Sequence, residues 1–241
     1  VHTFDMFNNM IVTDVAGEVQ VRVNGTGLTS SSFDVDQVFI SKSDTSRSVG
    51  YANGSIWINT SASNTSTESF VDGVADNPVS TLAAAKTLST ALVIGDFHII
   101  NGSTITLAES TANESYFGDN WTLALAGQTV TGAHFQGAIV SGVAVGAAEY
   151  AGCRIGTHTT IAASIYTECG LEGTITLPTG TVYFEDCRET GSTVLEFGAA
   201  VGSSTVHLHK HSGAVQLNNF GDSGTDVLEI DGNGKITIDS S

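Results

Sequence analysis

Three histidines, His207, His209 and His211, occupy alternate positions in the stretch VHLHKH. Neutral imidazoles suit Zn, Ni or Fe, and alternate residues of a strand share a face. On that period all three rings line one side, with Val206 and Leu208 turned inward. No carboxylate or cysteine completes a coordination shell within one chain. The expected reading is a polar strand face, with no metal ligand and no cofactor assigned. Only a symmetric assembly that turned this row toward its axis would make His207, His209 and His211 a site.

The acidic residues raise a second possibility. Glycoside cleavage needs two carboxylates about 5 to 10 Å apart in a groove, and Glu168, Glu172, Glu185, Asp186 and Glu189 are the candidates. Glu185 and Asp186 are adjacent, so on a strand they face opposite sides. Sugar grooves also want exposed aromatics, and only 7% of residues are aromatic. Lyase chemistry on a uronate would draw on Arg154, Arg188, Lys210 or Lys235. Asp231, Asn233 and Gly234 copy the middle of a calcium loop, but Glu229 and Ser240 stand where its end ligands belong. Leu228, Ile230, Ile236 and Ile238 alternate there, which predicts a hairpin about Gly232–Asn233. No phosphate loop, nucleophile elbow or zinc-protease motif occurs. No catalytic residue is assigned, and the chain is not expected to be an enzyme.

Cys153, Cys169 and Cys187 are too few, and odd in number, for a disulfide framework, and their spacings of 16 and 18 do not suit zinc. A reactive cysteine needs basic surroundings, whereas Glu168 and Asp186 directly precede two of these. They read as small buried hydrophobes.

The 241 residues fit one large β domain or two smaller ones, and 41% hydrophobic residues supply a core. Charged residues are only 14%, with a net charge of −17. That balance argues against nucleic acid and anionic membranes as partners. No apolar run is long enough to span a bilayer, and Val1 onward shows no signal-peptide pattern.

Stepping outward, EVQVRVNG, FDVDQVFISK and GSIWINT read as short strands, the last with Ile56 and Ile58 on one face and Trp57 on the other. A helix is expected over 78–93, with Asn77 as N-cap, Pro78 in the first position, and Leu82, Ala85, Leu88 and Leu92 on one face. DFHIINGSTITL reads as two strands about an Asn101–Gly102 turn. From about residue 120 an aromatic is followed three positions later by a small residue: Phe135 and Ala138, Tyr150 and Cys153, Tyr166 and Cys169, Phe184 and Cys187. The steps of 15, 16 and 18 residues predict a solenoid whose turns stack these positions into ladders. Residues 201–241 read as further strands, and the pattern runs to Ser241 without a cap, so further chain is expected.

The stretches GSIWINT, DGVADNPVSTLAAAKTLS and INGSTITL, in that order, resemble the opening of pectin-lyase-like right-handed β-helices. Together with AAVGSSTVHLHKHSGAVQLNNFGDSGTDVLEIDGNGKITID, they resemble virion structural proteins of tailed bacteriophages over residues 50–241. The resemblance implies a mainly β protein, a right-handed parallel β-helix opened by one short α-helix. Residues 1–58 would serve attachment or oligomerisation, 59–200 would form the β-helix, and 201–241 a strand-rich C-terminal section. It implies a homotrimeric spike, fibre or decoration subunit located on the virion, contacting capsid, neck or tail proteins. A tailspike that binds or degrades a host surface glycan is the alternative, and a bacterial adhesin a third class.

Overall fold

The computed structural model describes residues 10–15, 18–23, 51, 54–69, 71–198, 202–221 and 225–239. The chain divides into two compact units, residues 1–39 and 40–241. In the first, β1 (Met10–Val15) pairs antiparallel with β2 (Glu18–Val23), which is the strand expected from EVQVRV. The strand expected at FDVDQVFISK lies outside the described residues.

The second unit is a parallel β-solenoid. Its first face stacks β3 (Ile56–Ile58), β4 (Asp96–Ile99), the first half of β6 (Ser115–Ala124), the first half of β7 (His134–Val143), β8 (Glu149–Ala151), β10 (Ile165–Thr167), β12 (Gly180–Glu185) and the first half of β14 (Ser204–Asn218). The second face stacks β5 (Thr104–Thr106), the second halves of β6 and β7, β9 (Arg154–Thr159), β11 (Gly170–Thr176), β13 (Arg188–Glu196) and the second half of β14. β15 (Val227–Asp239) pairs parallel with β14 along both faces. Every pairing between the described strands β3 to β15 is parallel, because each turn of chain returns to the same face one layer on.

The register aligns Phe97, Tyr116, Phe135, Tyr150, Tyr166 and Phe184 on successive layers. Their rings stack with centroids 4.8 to 5.4 Å apart. That separation follows from the strand spacing of about 4.8 Å, and each such pair is worth about 0.5–1.5 kcal/mol beyond its burial. The expected ladder of rings is therefore present, and it extends two layers earlier than the sequence repeat. Trp121, Ala138, Cys153, Cys169 and Cys187 form the companion ladder on the second face, all buried. The turn between the two ladders uses a left-handed residue on each layer: Asn120, Gly137, Gly152, Glu168 and Asp186 have φ between 51° and 69°.

Helix α1 (Leu82–Leu92) starts later than expected. Thr81 is the N-cap, its hydroxyl accepting from Ala84 N–H. Asn77 is occupied elsewhere: its amide donates to Val71 O and to Asp72 Oδ1, both at 2.9 Å. Val79 pairs with Ile58 as an extension of the sheet, which keeps Pro78 and its neighbours out of the helix. The expected face is correct, since Leu82, Ala85 and Leu88 are buried.

The two strands and the turn expected about Asn101–Gly102 are present but form a solenoid corner, and the hairpin expected about Gly232–Asn233 is absent. β4 and β5 do not pair with each other; each pairs with β6. The stretch VLEIDGNGKITID is one strand, β15, and does not fold back at Gly232–Asn233. Local turn chemistry favoured a hairpin at both places, and lateral stacking on the preceding layer overrode it.

Candidate functional site

The histidine row is broken by its own strand. Val206 and Leu208 are buried, so His207 and His209 point outward as expected. Lys210 then adopts a left-handed conformation, φ 50°, and the pairing with β15 shifts register between Leu208 and His211. The shift reverses the parity of the strand, and His211 turns inward with no exposed surface. The expected single face of three imidazoles does not exist. His211 instead takes the layer after Cys187, as Arg188 pairs with Ser212.

The two outward rings each meet a carboxylate of the next layer. His207 Nδ1 lies 2.8 Å from Glu229 and His209 Nδ1 lies 2.7 Å from Asp231. His207 also stacks on Tyr183, centroids 4.9 Å apart and planes 10° apart. His207, His209, Glu229 and Asp231, with Leu208 and Ile230, line a depression of about 190 Å³. The same arrangement recurs earlier on this face, where His134 Nδ1 lies 3.4 Å from Glu149. Such exposed pairs contribute about 0–1 kcal/mol each, and they clip one layer to the next. No group of three or more metal-ligating side chains comes together among the described residues.

His211 is different. Neither ring nitrogen has a hydrogen-bond partner among the described residues. Burial lowers its pKa; the nearby Cys187 carbonyl and Glu189 oppose that without supplying a bond. The Cys187 carbonyl instead accepts from Ser212 N–H at 3.1 Å. Gly234 of β15 leaves room for the ring, since a Cβ there would lie 3.2 Å from His211 Cδ2, and Gly232 leaves room for the backbone, since a Cβ there would lie 2.2 Å from His211 O.

The three thiols are free and buried. Each donates to the carbonyl of the aromatic one layer back: Cys153 to Phe135, Cys169 to Tyr150 and Cys187 to Tyr166, at 3.3 to 3.4 Å. The Cys169 thiol, between two others and buried, is held well above the ordinary cysteine range. The expected thiol ladder stands, and its chemistry is that of packing.

The five candidate carboxylates do not converge. Glu172 accepts two bonds from Arg154, at 2.9 and 3.2 Å. Glu189 accepts from Ala214 N–H at 2.6 Å. Asp186 lies 3.4 Å from Lys210. Glu185 and Asp186 are both exposed, because Asp186 sits in the corner rather than in the strand. Glu168 faces a trough of about 220 Å³ that runs along the corner between the two faces. Gly137, Gly152, Gly170, Arg154, Arg188 and Asp119 also line it. Asp119 was not singled out by sequence reasoning, since nothing in its local pattern brings it beside residues from later turns.

A second polar knot also escaped the sequence. Asp72, 4% exposed, accepts from Asn64, Asn77 and Glu68 N–H within 2.9 Å. Burial opposes its charge, yet hydrogen bonds from Ser66, Asn64, Glu68 and Asn77 hold its carboxyl below the usual range. Its partners all lie within eight residues, so it closes the loop ahead of α1.

The fold and these surfaces define a parallel β-solenoid with a thiol and aromatic core. Comparison with known proteins returns no matching family model, no matching curated protein and no matching solved structure. No helix among the described residues is long and apolar enough to cross a membrane.

Proposed function

We propose that this chain is a structural subunit of a tailed-bacteriophage particle: a homotrimeric spike, fibre or decoration protein that works by packing and presentation. The observation that carries this reading is the unbroken ring stack from Phe97 to Phe184. It runs through successive turns without an internal gap, as a stiff rod requires. The sequence resemblance to virion structural proteins supplies the setting. An acidic surface, from a net charge of −17, keeps such particles from sticking to one another. The test is native mass spectrometry of the purified chain, joined to immunogold labelling of phage particles that carry its gene. Three-chain particles and labelled virions are expected. A monomer, or virions free of the protein, would overturn the proposal.

A second reading rests on the corner trough. The only two arginines of the second unit's described residues, Arg154 and Arg188, line it, as do Glu168 and Asp119. A charged glycan from a host surface fits that lining. Glycan-array binding that is lost in Arg188→Ala would favour it, and release of reducing ends would add catalysis.

A further inference from the structure

Each turn of the solenoid has a third side, the segment that returns the chain from the second face to the first. On four successive turns these segments are residues 125–133, 144–148, 160–164 and 177–179. They are tied to their neighbours by backbone bonds: Val130 N–H donates to Val145 O, Gly132 N–H to Ala147 O and Ala163 N–H to Thr181 O. None of these residues is charged. The preceding segment, 107–114, carries Glu109 and Glu114, so the uncharged side has a defined start. The charged residues of the same turns, Asp119, Glu149, Arg154, Glu168 and Glu172, lie in the strands of the two faces or at the corner between them. The uncharged side is also apolar. Val143 is 48% and Val145 55% exposed, either side of the inward Ala144, and Ala126 and Ala163 are exposed with them. Among the described residues before β15, the other large hydrophobics this exposed are Val93, the C-cap of α1, and Tyr183, which stacks on His207. A rimmed apolar patch of this kind marks a contact site.

Charge decides what covers it. Each copy of this chain carries a net charge of −17, so copies repel wherever their charged sides meet. About a symmetry axis the constraint is stricter. Each residue close to the axis meets its own image, so any charge there meets a like charge. Turned to the axis, the first face would set Glu149 against Glu149, and the second face Glu172 against Glu172. The returning side sets valine against valine. We infer that the returning side, centred on Val143 and Val145, faces the three-fold axis of the proposed homotrimer and is the surface through which three copies join. The inference rests on that trimeric reading and adds to it the side of contact. Both sheet faces, the corner trough and the histidine–carboxylate pairs then point away from the axis, where they stay open to other partners.

Native mass spectrometry of charge variants across a dilution series tests the assignment. Val145→Asp places three like charges around the axis, so its trimer dissociates at a protein concentration at least about tenfold higher than the wild type's. Gln136→Asp, at an exposed position of the first face, keeps the wild-type dissociation range. Mixing Val145→Asp with Val145→Lys restores trimers that contain both variants, which misfolded chains could not form. Val143→Asp repeats the test at the neighbouring exposed position, and unchanged circular dichroism shows that each variant keeps its strands. A wild-type trimer that persists undiminished in Val145→Asp and Val143→Asp overturns the inference and leaves the trimeric reading standing. A wild-type particle of any other number of chains overturns both.

Discussion

The phenol of Tyr166 donates to Nε2 of His158 across 2.8 Å, while Nδ1 of the same ring bonds the Gly142 carbonyl, also at 2.8 Å. In the neutral ring the Gly142 carbonyl, which can only accept, places the proton on Nδ1 and leaves Nε2 to accept from the phenol. Burial pushes the pKa of His158 down to about 4, against the Gly142 bond, which favours the charged form. The unfolded chain binds this proton near pH 6.5. Between those values the unfolded state holds more protons, so stability falls as pH falls through that window, and this contribution levels off below about pH 4. The loss attributable to His158 is on the order of 3 kcal/mol. His98 and His211, also lowered by burial, act with the same sign. Urea melts from pH 7.5 to 4 should show the decline, and His158→Gln should flatten it. A wild-type profile level across the window would sink this account.

His211→Leu should raise the melting temperature. A buried polar group without partners costs about 1–3 kcal/mol, and leucine has no such group to desolvate. The same change at His207, which is part exposed and paired with Glu229, should alter stability by less than about 1 kcal/mol. Thermal melts of the two variants compare an inward and an outward ring of one strand. A destabilised His211→Leu would mean that the ring has a partner or a task.

The thiol ladder predicts silence toward reagents. Cys153, Cys169 and Cys187 should react with a water-soluble disulfide reagent only after denaturant is added, and then all three together. Rapid labelling of any one in the folded protein would show that its layer opens.

Gly137→Ala should be among the most damaging single changes. Gly137 has φ 69°, and a Cβ there would lie 2.1 Å from Gly118 O, a backbone atom of the preceding layer. Left-handed strain and the clash add, so a loss above about 2 kcal/mol is expected. Gly152→Ala has a similar φ of 58° with open space around it and should cost less. Denaturant midpoints of the pair would separate strain from collision.

Much of the core could be read from spacing. An aromatic followed three residues later by a small residue, at Tyr150 and Cys153, Tyr166 and Cys169, Phe184 and Cys187, marked both ladders, because the corner between faces has constant length. The same spacing joins Leu208 to His211, and it was the available sign that His211 points inward. Strand alternation across VHLHKH concealed it. The helix start slipped from Pro78 to Leu82 because Asn77 and Val79 had tertiary partners that no local rule weighs.

By itself, then, the sequence determined the inward ladders, the solenoid and the apolar face of α1, because these depend on periodicity within a short stretch. Tertiary structure alone decided the rest. It set whether Asn101–Gly102 and Gly232–Asn233 close hairpins or corners, and which carboxylate meets which histidine. Each of these is a contact between layers some 15 to 24 residues apart. The spacing between layers varies from turn to turn, so the partner of a given residue follows only once the whole coil has been wound.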